Sequence, residues 1–378
     1  MKVSLTDICD FQGGTQPPKD EWIDQPAQGY VRMLQIRDFT QSGKNYIEYV
    51  KDTGKLKTCI EDDILIGRYG ASIGKILTGL AGAYNVAIVK TIPDEKVVNK
   101  KYLYWYLNSQ YFQRFISNVG SRAAQAGFNK NDLGAAQIPL VDKERQEEIC
   151  EVLEKANKLI SLRKQQLAKL DELVKARFVE MFGDPIRNEK GWNTYTLAEM
   201  CDGIGDGLHG TPEYDENGEY PFINGNNLIS GIIQINPSTK KVNKKTYEKH
   251  YIKISQNAIL LSINGTLGRI AFYNSEQVML GKSACYCNLR DEVNRIFVYN
   301  IMKTDAFARY LEDNATKSTI KNVGLKAIRE YRLIMPPIPL QNQFSSFVER
   351  VDQQKQTVQQ SLEKLEFMKK ALMQEYFG

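Results

Sequence analysis

The side chains most often used for catalysis or metal binding are few in this sequence. Its two histidines, His209 and His250, form no HxH or HExxH pattern. Cys285 and Cys287 form a C-x-C pair without a second ligand pair nearby, so two small residues on one face of a strand explain them better than zinc does. We therefore expect no catalytic residue, no metal and no cofactor in this chain.

Two glycine-rich stretches invite comparison with nucleotide-binding loops. The stretch GRYGASIGKI (67–76) lacks the spacing of a phosphate loop, and Ile76 stands where a Mg²⁺-binding Ser or Thr is needed. The stretch GIGDG (203–207) is followed by a loop-like sequence instead of a helix. No Asn-Pro-Pro-Tyr-like tetrapeptide occurs, so the base-holding motif of amino-methyltransferases is absent as well.

Polar and basic side chains are instead concentrated in loops, in residue types that contact phosphates and base edges. Two such stretches are SNVGSRAAQAGFNKNDL (117–133) and EDNATKSTIKNVGLKAIRE (312–330). Each residue alone is equally well explained as a solvated loop residue, but the set recurs in both halves of the chain. The predicted DNA-binding residues are Gln35, Arg37, Arg68, Lys75, Arg122, Gln125, Asn129, Lys130, Asn131, His209, Asn224, Asn226, Asn227, Asn264, Arg269, Lys317, Ser318, Thr319, Lys321 and Asn322.

The overall charge allows an anionic partner without requiring one. The chain has 50 Lys and Arg against 45 Asp and Glu, a formal net charge of +5. Because the two signs nearly cancel, a DNA-binding surface must be local. No apolar run is long enough to span a membrane, and the first residues lack the apolar core of a signal peptide, so we expect a cytoplasmic protein.

The elements that position these residues occur twice. The tetrapeptide EMFG (180–183) returns as EYFG (375–378), at an offset of 195 residues. Further markers recur in the same order, which indicates a tandem duplication. These markers are SLTDICDF (4–11) with TLAEMCDG (196–203), GASIGKI (70–76) with GTLGRI (265–270), and IPLVDKERQ (138–146) with MPPIPLQNQ (335–343).

A long amphipathic helix is predicted at the end of each repeat. Apolar residues there recur at alternating spacings of four and three, which is a heptad seam, and Gly183 and Gly378 are suitable stop residues. The simplest arrangement is an antiparallel coiled coil between the two helices; the alternative is that each folds back on its own domain. The predicted seam residues are Ile149, Leu153, Ile160, Leu167, Leu170, Val174, Val348, Val351, Val358, Leu362, Leu365 and Leu372.

The globular part of each repeat combines short apolar runs typical of strands with a helical stretch at 102–116. We therefore predict an α+β fold with two globular domains in tandem pseudo-repeat, joined by the two helices. The predicted boundaries are a first domain at 1–142, a central helix at 143–183, a second domain at 184–337 and a C-terminal helix at 338–378.

Taken together, these motifs resemble the specificity subunit (HsdS) of Type I restriction–modification enzymes along the whole chain. The resemblance rests on two target-recognition-like halves and on a P-x-x-x-x-x-x-Q pattern at each helix start, Pro139 to Gln146 and Pro336 to Gln343. It rests also on MFGDP after the central helix, on GDGLHGTPEY (205–214), and on the GASIGKI and GTLGRI turns.

The resemblance implies a non-catalytic DNA-reading subunit. Each globular domain would read one half of a bipartite, asymmetric DNA site, and the paired helices would set the spacing between the halves. Partners would be double-stranded DNA, two methyltransferase (HsdM) subunits and restriction (HsdR) subunits. S-adenosylmethionine, ATP and Mg²⁺ would be bound by those partners only. The alternatives are a stand-alone DNA methyltransferase or nuclease, and a coiled-coil scaffold without a DNA role.

Overall fold

The computed structural model describes residues 1–41, 47–122 and 127–378, without the side chains of 120–122. Within these residues the chain divides into two compact units. Unit 1 comprises Met1–Lys164 together with Gln360–Gly378, and unit 2 comprises Gln165–Gln359. Each of the two long helices is therefore divided between the units.

The described part of unit 1 contains ten short strands and a few helices before the long central helix. Seven of these strands have only two or three residues and alternate with turns, as its glycines predict. In chain order the elements are β1 (Lys2–Ser4), α1 (Leu5–Ile8), β2 (Cys9–Gly13), β3 (Tyr30–Leu34), α2 (Ile36–Thr40), β4 (Tyr49–Lys51), β5 (Thr58–Cys59), β6 (Leu65–Gly67), β7 (Ile76–Leu77), β8 (Gly82–Tyr84), β9 (Ile88–Pro93), α3 (Lys100–Leu107), α4 (Gln110–Arg122), α5 (Lys130–Gly134), β10 (Gln137–Pro139) and α6 (Lys143–Phe182).

The strands of unit 1 form three sheets. An antiparallel sheet has the order β2-β9-β6-β7, and a second sheet has the order β4-β3-β8-β5 with β3 and β8 parallel. Strands β1 and β10 form an antiparallel pair. The main core lies between the first sheet and helices α3 and α4, where Tyr102, Tyr106 and Phe112 are fully buried.

Within the described residues, unit 2 repeats most of these elements, with two additional short strands and one strand fewer in its mixed sheet. In chain order they are β11 (Thr194–Thr196), β12 (Cys201–Asp206), β13 (Tyr220–Ile223), β14 (Leu228–Ile229), β15 (Ile232–Ile233), β16 (Lys241–Val242), α7 (Lys244–Lys249), β17 (Ala258–Ser262), β18 (Ile270–Phe272), β19 (Met279–Leu280), β20 (Ala284–Leu289), α8 (Arg295–Met302), α9 (Asp305–Asp313), α10 (Leu325–Glu330), β21 (Arg332–Ile334) and α11 (Ile338–Phe377).

The strand orders of unit 2 match those of unit 1. The antiparallel sheet β12-β20-β17-β18 corresponds to β2-β9-β6-β7, and β16-β13-β19 corresponds to β4-β3-β8 with the same parallel pair. The pair β11-β21 corresponds to β1-β10. Among the described residues, β14-β15 has no counterpart in unit 1 and β5 has none in unit 2. The two units thus share one topology, and the predicted α+β fold in tandem pseudo-repeat is confirmed.

Within unit 1, the first half of α6 pairs with the last half of α11 in antiparallel orientation. Arg163 Nε donates to Ser361 Oγ at 3.2 Å, and Lys369 Nζ donates to Asn157 Oδ1 at 2.8 Å. Residue numbers therefore increase along one helix as they decrease along its partner. The ring of Phe377, the aromatic residue of the EYFG motif, is fully buried 5.1 Å from that of Tyr102. The end of α11 therefore contributes to the core of unit 1.

Within unit 2, the remaining parts of the two helices pair in the same way. Lys355 Nζ donates to Asp171 Oδ1 at 2.7 Å, and the rings of Phe178 and Phe344 lie 5.5 Å apart. Every predicted seam residue on both helices is buried or half-buried, while most of the residues between them are exposed. The helices are antiparallel partners in each unit, as the heptad spacing predicted.

Gly183 ends α6 as predicted, in the left-handed conformation with φ of +77° and its N–H bonded to the Val179 carbonyl at 2.8 Å. Another local expectation needs correction. The helical stretch 102–116 is two helices, because the buried Ser109 hydroxyl accepts the Phe112 N–H at 3.2 Å and starts α4 separately. Pro339 lies inside the first turn of α11, where no backbone donor is required.

The P-x-x-x-x-x-x-Q pattern aligns the wrong glutamine in the second repeat. Gln146 is fully buried and accepts the Asn99 N–H at 2.7 Å; Gln341 is equally buried and accepts the Asn294 N–H at 3.0 Å. Gln343 is exposed. The tandem offset of 195 relates Gln146 to Gln341, whereas counting from the prolines shifts the match by two residues.

Candidate nucleic-acid interface

In each unit, an isolated antiparallel bridge joins a hairpin turn to a polar loop. The hairpin turn connects β6 to β7 in unit 1 and β17 to β18 in unit 2. The polar loop belongs to the stretch 117–133 in unit 1 and to 312–330 in unit 2. In unit 1 the bridge is Tyr69 with Gly127, and in unit 2 it is Asn264 with Asn322. Both members of the two bridges are related by the 195-residue offset. The turn and the polar stretch, predicted separately as DNA-contacting segments, are thus neighbours in both units.

Hydrogen bonds fix this junction on both sides of the bridge. Arg68 Nε donates to the Phe128 carbonyl at 2.9 Å in unit 1. In unit 2, the Gly265 N–H donates to the Lys321 carbonyl at 2.9 Å. Asn264 Nδ2 also donates to Asn322 Oδ1 at 3.1 Å, so two amide side chains lie side by side there. In both units the polar loop is held through its own backbone carbonyl groups, while the side chains at the bridge differ.

Each hairpin turn depends on a glycine that precedes its cationic residue. Gly74 has φ of +74°, and an added Cβ would lie 2.5 Å from Ile116 Cγ2 on α4. Its counterpart Gly268 has φ of +78° and would place a Cβ 3.2 Å from Leu311 Cδ1 on α9. Both the left-handed conformation and the contact with the helix favour glycine, which explains why GASIGKI and GTLGRI share it.

A third predicted DNA-contacting segment follows the first strand of the parallel pair in each unit, β3 in unit 1 and β13 in unit 2. Gln35 after β3 and Asn224 after β13 occupy the same place, each with its N–H bonded to a side chain three residues on, Asp38 at 2.7 Å and Asn227 at 3.0 Å. The stretches LQIRD (34–38) and INGNN (223–227) therefore correspond to each other in the two units. In unit 2, Arg269 of the hairpin turn donates to the Asn226 carbonyl at 3.2 Å. This contact joins the third segment to the other two.

Acidic residues accompany the cations of the unit 1 segments. Glu48 forms ion pairs with both Arg37 and Lys19, and it accepts Gln35 Nε2 at 2.6 Å. Lys130 pairs with Asp10, and its hydrogen bond is the main cause of the lowered pKa of Asp10. These pairs are at least partly solvent-accessible, where ion pairs are weak, so phosphate oxygens can compete for the same cations.

The corresponding part of unit 2 is richer in amides. Ser283 Oγ donates to Asn224 Oδ1 at 2.9 Å and accepts the Gly225 N–H at 2.9 Å, which orients the third segment. Lys321 is paired with Glu312. Unit 2 thus presents hydrogen-bonding amides where unit 1 presents an aromatic ring and charged groups.

The other predicted residues fall into four groups. Asn129 and Asn227 serve mainly as caps, since Asn129 Oδ1 accepts the Asp132 N–H and Asn227 Nδ2 donates to the Gln234 carbonyl. His209 is 72% exposed and bonded to Asp206 at 2.7 Å. A third group is exposed and comprises Lys75, Asn131, Asn226, Lys317, Ser318 and Thr319. Arg122 is the last residue of α4, its side chain is outside the description, and Gln125 lies outside the described residues.

The sequence analysis missed three residues of these segments. Tyr69 is 40% exposed at the bridge position that corresponds to Asn264, and the 195-residue offset would have identified it. Glu48, which directly precedes β4, and Ser283, which directly precedes β20, hold the third segment. No local pattern in the sequence points to either of them.

The sequence and the fold were compared with known proteins. The profile of the family described as Type I restriction modification DNA specificity domain matches residues 1–172 and 189–366. The chain is 21% identical to the Type I restriction enzyme MjaIX specificity subunit of Methanocaldococcus jannaschii, over 91% of this chain and 85% of that protein. It is 23% identical to the MjaVIII specificity subunit of the same organism, over 52% of this chain and 45% of that protein.

Two solved structures share the fold. One, from a study of complex assembly and conformational transition of the type I R-M system, has a TM-score of 0.64 and 16% identity, covering 100% of this chain and 97% of that one. The other, the Type I restriction–modification S subunit from M. genitalium, has a TM-score of 0.58 and 16% identity, covering 100% and 96%. At these identities the likeness concerns the fold alone.

Proposed function

Since this chain belongs to the family of Type I restriction–modification specificity subunits, we propose that it reads a bipartite, asymmetric DNA site and carries no catalytic centre itself. Each unit would read one half-site through its hairpin turn, polar loop and third segment. The observation that supports this most is the bridge repeated at one offset with different side chains, Tyr69 in unit 1 and Asn264 in unit 2. One scaffold with two sets of side chains suits two different half-sites.

Recruitment of partner subunits is the second part of the proposal. The residues of the heptad seam are covered, but the paired helices also carry large apolar side chains that are exposed. Exposed apolar side chains that cluster mark protein–protein surfaces. These residues are Val152, Leu159, Leu162, Phe367 and Met368 in unit 1, and Leu173 and Val179 in unit 2. They would contact methyltransferase subunits, to which restriction subunits are added. S-adenosylmethionine, ATP and Mg²⁺ would be bound by those partners.

The proposal places the protein in the cytoplasm with the host DNA. As a separate finding, none of the helices within residues 1–41, 47–122 and 127–378 has the length and hydrophobicity of a membrane span.

Point variants at the bridge test the reading role. We expect Tyr69→Ala to relax base preference in one half-site of the methylated sequence, and Asn264→Ala to relax it in the other half only. Sequencing of methylated bases in cells that carry the chain and its methyltransferase partner measures both. Tyr195→Ala is the matched control, because Tyr195 is also 40% exposed but lies in β11. Changes in both half-sites from either single variant would contradict one reader per unit.

Co-expression separates this function from the two alternatives. We expect a stable complex with a methyltransferase subunit that methylates a defined bipartite site, and no methylation by the chain alone with S-adenosylmethionine. Methylation by the chain alone would indicate a stand-alone enzyme. A stable complex that never binds DNA would indicate a scaffold.

A further inference from the structure

We infer that unit 2 has a second DNA-contacting surface, a lysine patch at residues 238–253 that binds the phosphate backbone. It lies outside the hairpin turn, the polar loop and the third segment, which are together called the base-reading segments below. The inference rests on the proposed DNA-reading function. The sequence there is STKKVNKKTYEKHYIK, with six lysines and one glutamate in 16 residues. Its net charge of +5 equals that of the whole chain, so the remaining residues are neutral on balance.

All six lysines are exposed, and their charge is largely uncompensated. They are Lys240, Lys241, Lys244, Lys245, Lys249 and Lys253. Among the described residues, the single ion pair formed by these lysines is Lys244 with Glu248, at 3.7 Å and with both side chains more than 60% exposed. Three cations of the base-reading segments differ, because Arg37, Lys130 and Lys321 each have an acidic partner.

The backbone under the lysine patch is firmly held. The Lys240 carbonyl accepts the Phe222 N–H at 2.8 Å, and the Lys253 carbonyl accepts Asn288 Nδ2 at 3.1 Å. Between them, Val242 is fully buried against Phe222 and Met279. Charges on an ordered backbone bind phosphates at fixed positions, and less conformational entropy is lost on binding.

Aromatic rings complete the lysine patch. The rings of Tyr220 and Tyr247 stack at 4.0 Å with planes 10° apart, and Tyr251 packs edge-on against Tyr247 at 5.8 Å. Tyr251 is 60% exposed, so its hydroxyl is free to approach a phosphate. Lysines interleaved with exposed tyrosines are typical of nucleic-acid contact surfaces.

Strand β13 connects the lysine patch to the base-reading segments. It begins at Tyr220, in the aromatic stack, and leads directly to Asn224. Four residues of strand span about 13 Å, which is close to the roughly 12 Å width of the major groove. A base-reading contact near Asn224 and a backbone contact near Tyr220 can therefore be made together. In unit 1 the 16 residues at 47–62, which contain β4 as the counterpart of β16, have three lysines and four acidic residues, so the lysine patch is specific to unit 2.

Salt titration of DNA binding tests this surface in the full chain. The triple variant Lys245→Gln, Lys249→Gln, Lys253→Gln removes three cations, each expected to contribute about −0.9 to the slope of log affinity against log salt. Between 50 and 200 mM salt the wild type should lose about 40-fold more affinity than the variant. The loss should be equal for the methylated target and for an unrelated duplex of the same length, and the recognised sequence should not change.

A charge-matched control and three outcomes decide the inference. The control variant Lys158→Gln, Lys169→Gln, Lys175→Gln removes three exposed lysines from α6 and should keep the wild-type slope. An unchanged slope in the patch variant overturns the lysine patch while leaving the proposed function intact. A changed recognition sequence, or loss of partner binding with unchanged DNA binding, overturns it as well. Absence of salt-dependent DNA binding by the wild type contradicts both the proposed function and the lysine patch.

Discussion

The ring of Phe182 lies 4.8 Å from the ring of Phe297 in an edge-to-face arrangement, and both side chains are fully buried. Phe182 belongs to the EMFG motif, and the corresponding rings of Phe377 in EYFG and of Tyr102 lie 5.1 Å apart in a tilted arrangement. The repeated tetrapeptide thus marks an aromatic residue that fastens the end of a long helix to a globular core.

Removal of the Phe182 ring or of the Phe377 ring should destabilise the unit that contains it. We expect Phe182→Ala to lower the free energy of unfolding by about 3–5 kcal/mol, because a large cavity is left in a packed aromatic cluster. Urea denaturation of the full chain measures the change. Phe367→Ala, on the same type of helix but 73% exposed, should alter it by less than about 0.5 kcal/mol. Equal effects of the two variants would contradict the anchoring role.

The buried glutamines make a second prediction. Gln146→Ala leaves the Asn99 N–H and the Val97 and Val141 carbonyls without their partner, and unsatisfied buried groups cost about 1–3 kcal/mol each. We expect a clear loss of stability by urea denaturation, and the same for Gln341→Ala. Gln343→Ala should have almost no effect, because Gln343 is exposed. A large effect of Gln343→Ala would restore the proline-based alignment.

The parts of the fold that could be predicted were those with a period in the sequence. The alternating spacing from Ile149 to Val174 fixes one face of a helix, and the offset of 195 fixes the duplication. The break between α3 and α4 was not predictable, because a serine hydroxyl makes it without a proline or glycine. Local hydrogen bonds of this kind leave the apolar pattern unchanged.

The candidate interface was predictable as segments but not as an assembly. Asn264 and Asn322 were both identified by residue type, yet their bridge depends on the course of the chain through β18, β20 and α9. Tyr69 was missed because no local pattern distinguishes an aromatic residue in a turn, although the offset of 195 relates it to Asn264. The binding roles of all these residues remain predictions, and the variants described above test them.

The buried carboxylate of Asp63 predicts a pH dependence of stability. Burial alone would raise its pKa, but hydrogen bonds from Lys90 and the Ile60 N–H, with the charges of Lys90 and Lys100, lower it below its ordinary value. A lowered pKa adds stability above the unfolded-state pKa of about 3.9, and this stability is lost as the pH falls through the folded value.

Replacement of this carboxylate should remove that increment. At pH 7 we expect Asp63→Asn to lower the free energy of unfolding by about 1.5–3 kcal/mol, since charged hydrogen bonds are lost. The difference from wild type should shrink below pH 4, as the wild-type carboxylate itself becomes protonated. Urea denaturation across pH 3–7 measures this. Asp62→Asn is the control, because Asp62 pairs with Lys100 but is 83% exposed. A difference that is constant with pH would show that packing, not charge, is responsible.

Gly74, in the hairpin turn of unit 1, allows the cost of backbone strain to be measured separately from the cost of a steric clash. Gly74→Ala combines a left-handed φ of +74° with a Cβ 2.5 Å from Ile116, whereas Gly54→Ala has φ of +68° and no atom within 4 Å. Both variants should lose about 1 kcal/mol from backbone strain. We expect Gly74→Ala to lose more, because the turn must move away from α4. That movement also displaces Arg68 and Tyr69, so one half-site of the methylated sequence should lose definition while the other is kept. Equal stability of the two variants, with both half-sites intact, would show that the turn tolerates a side chain and does not depend on its contact with α4.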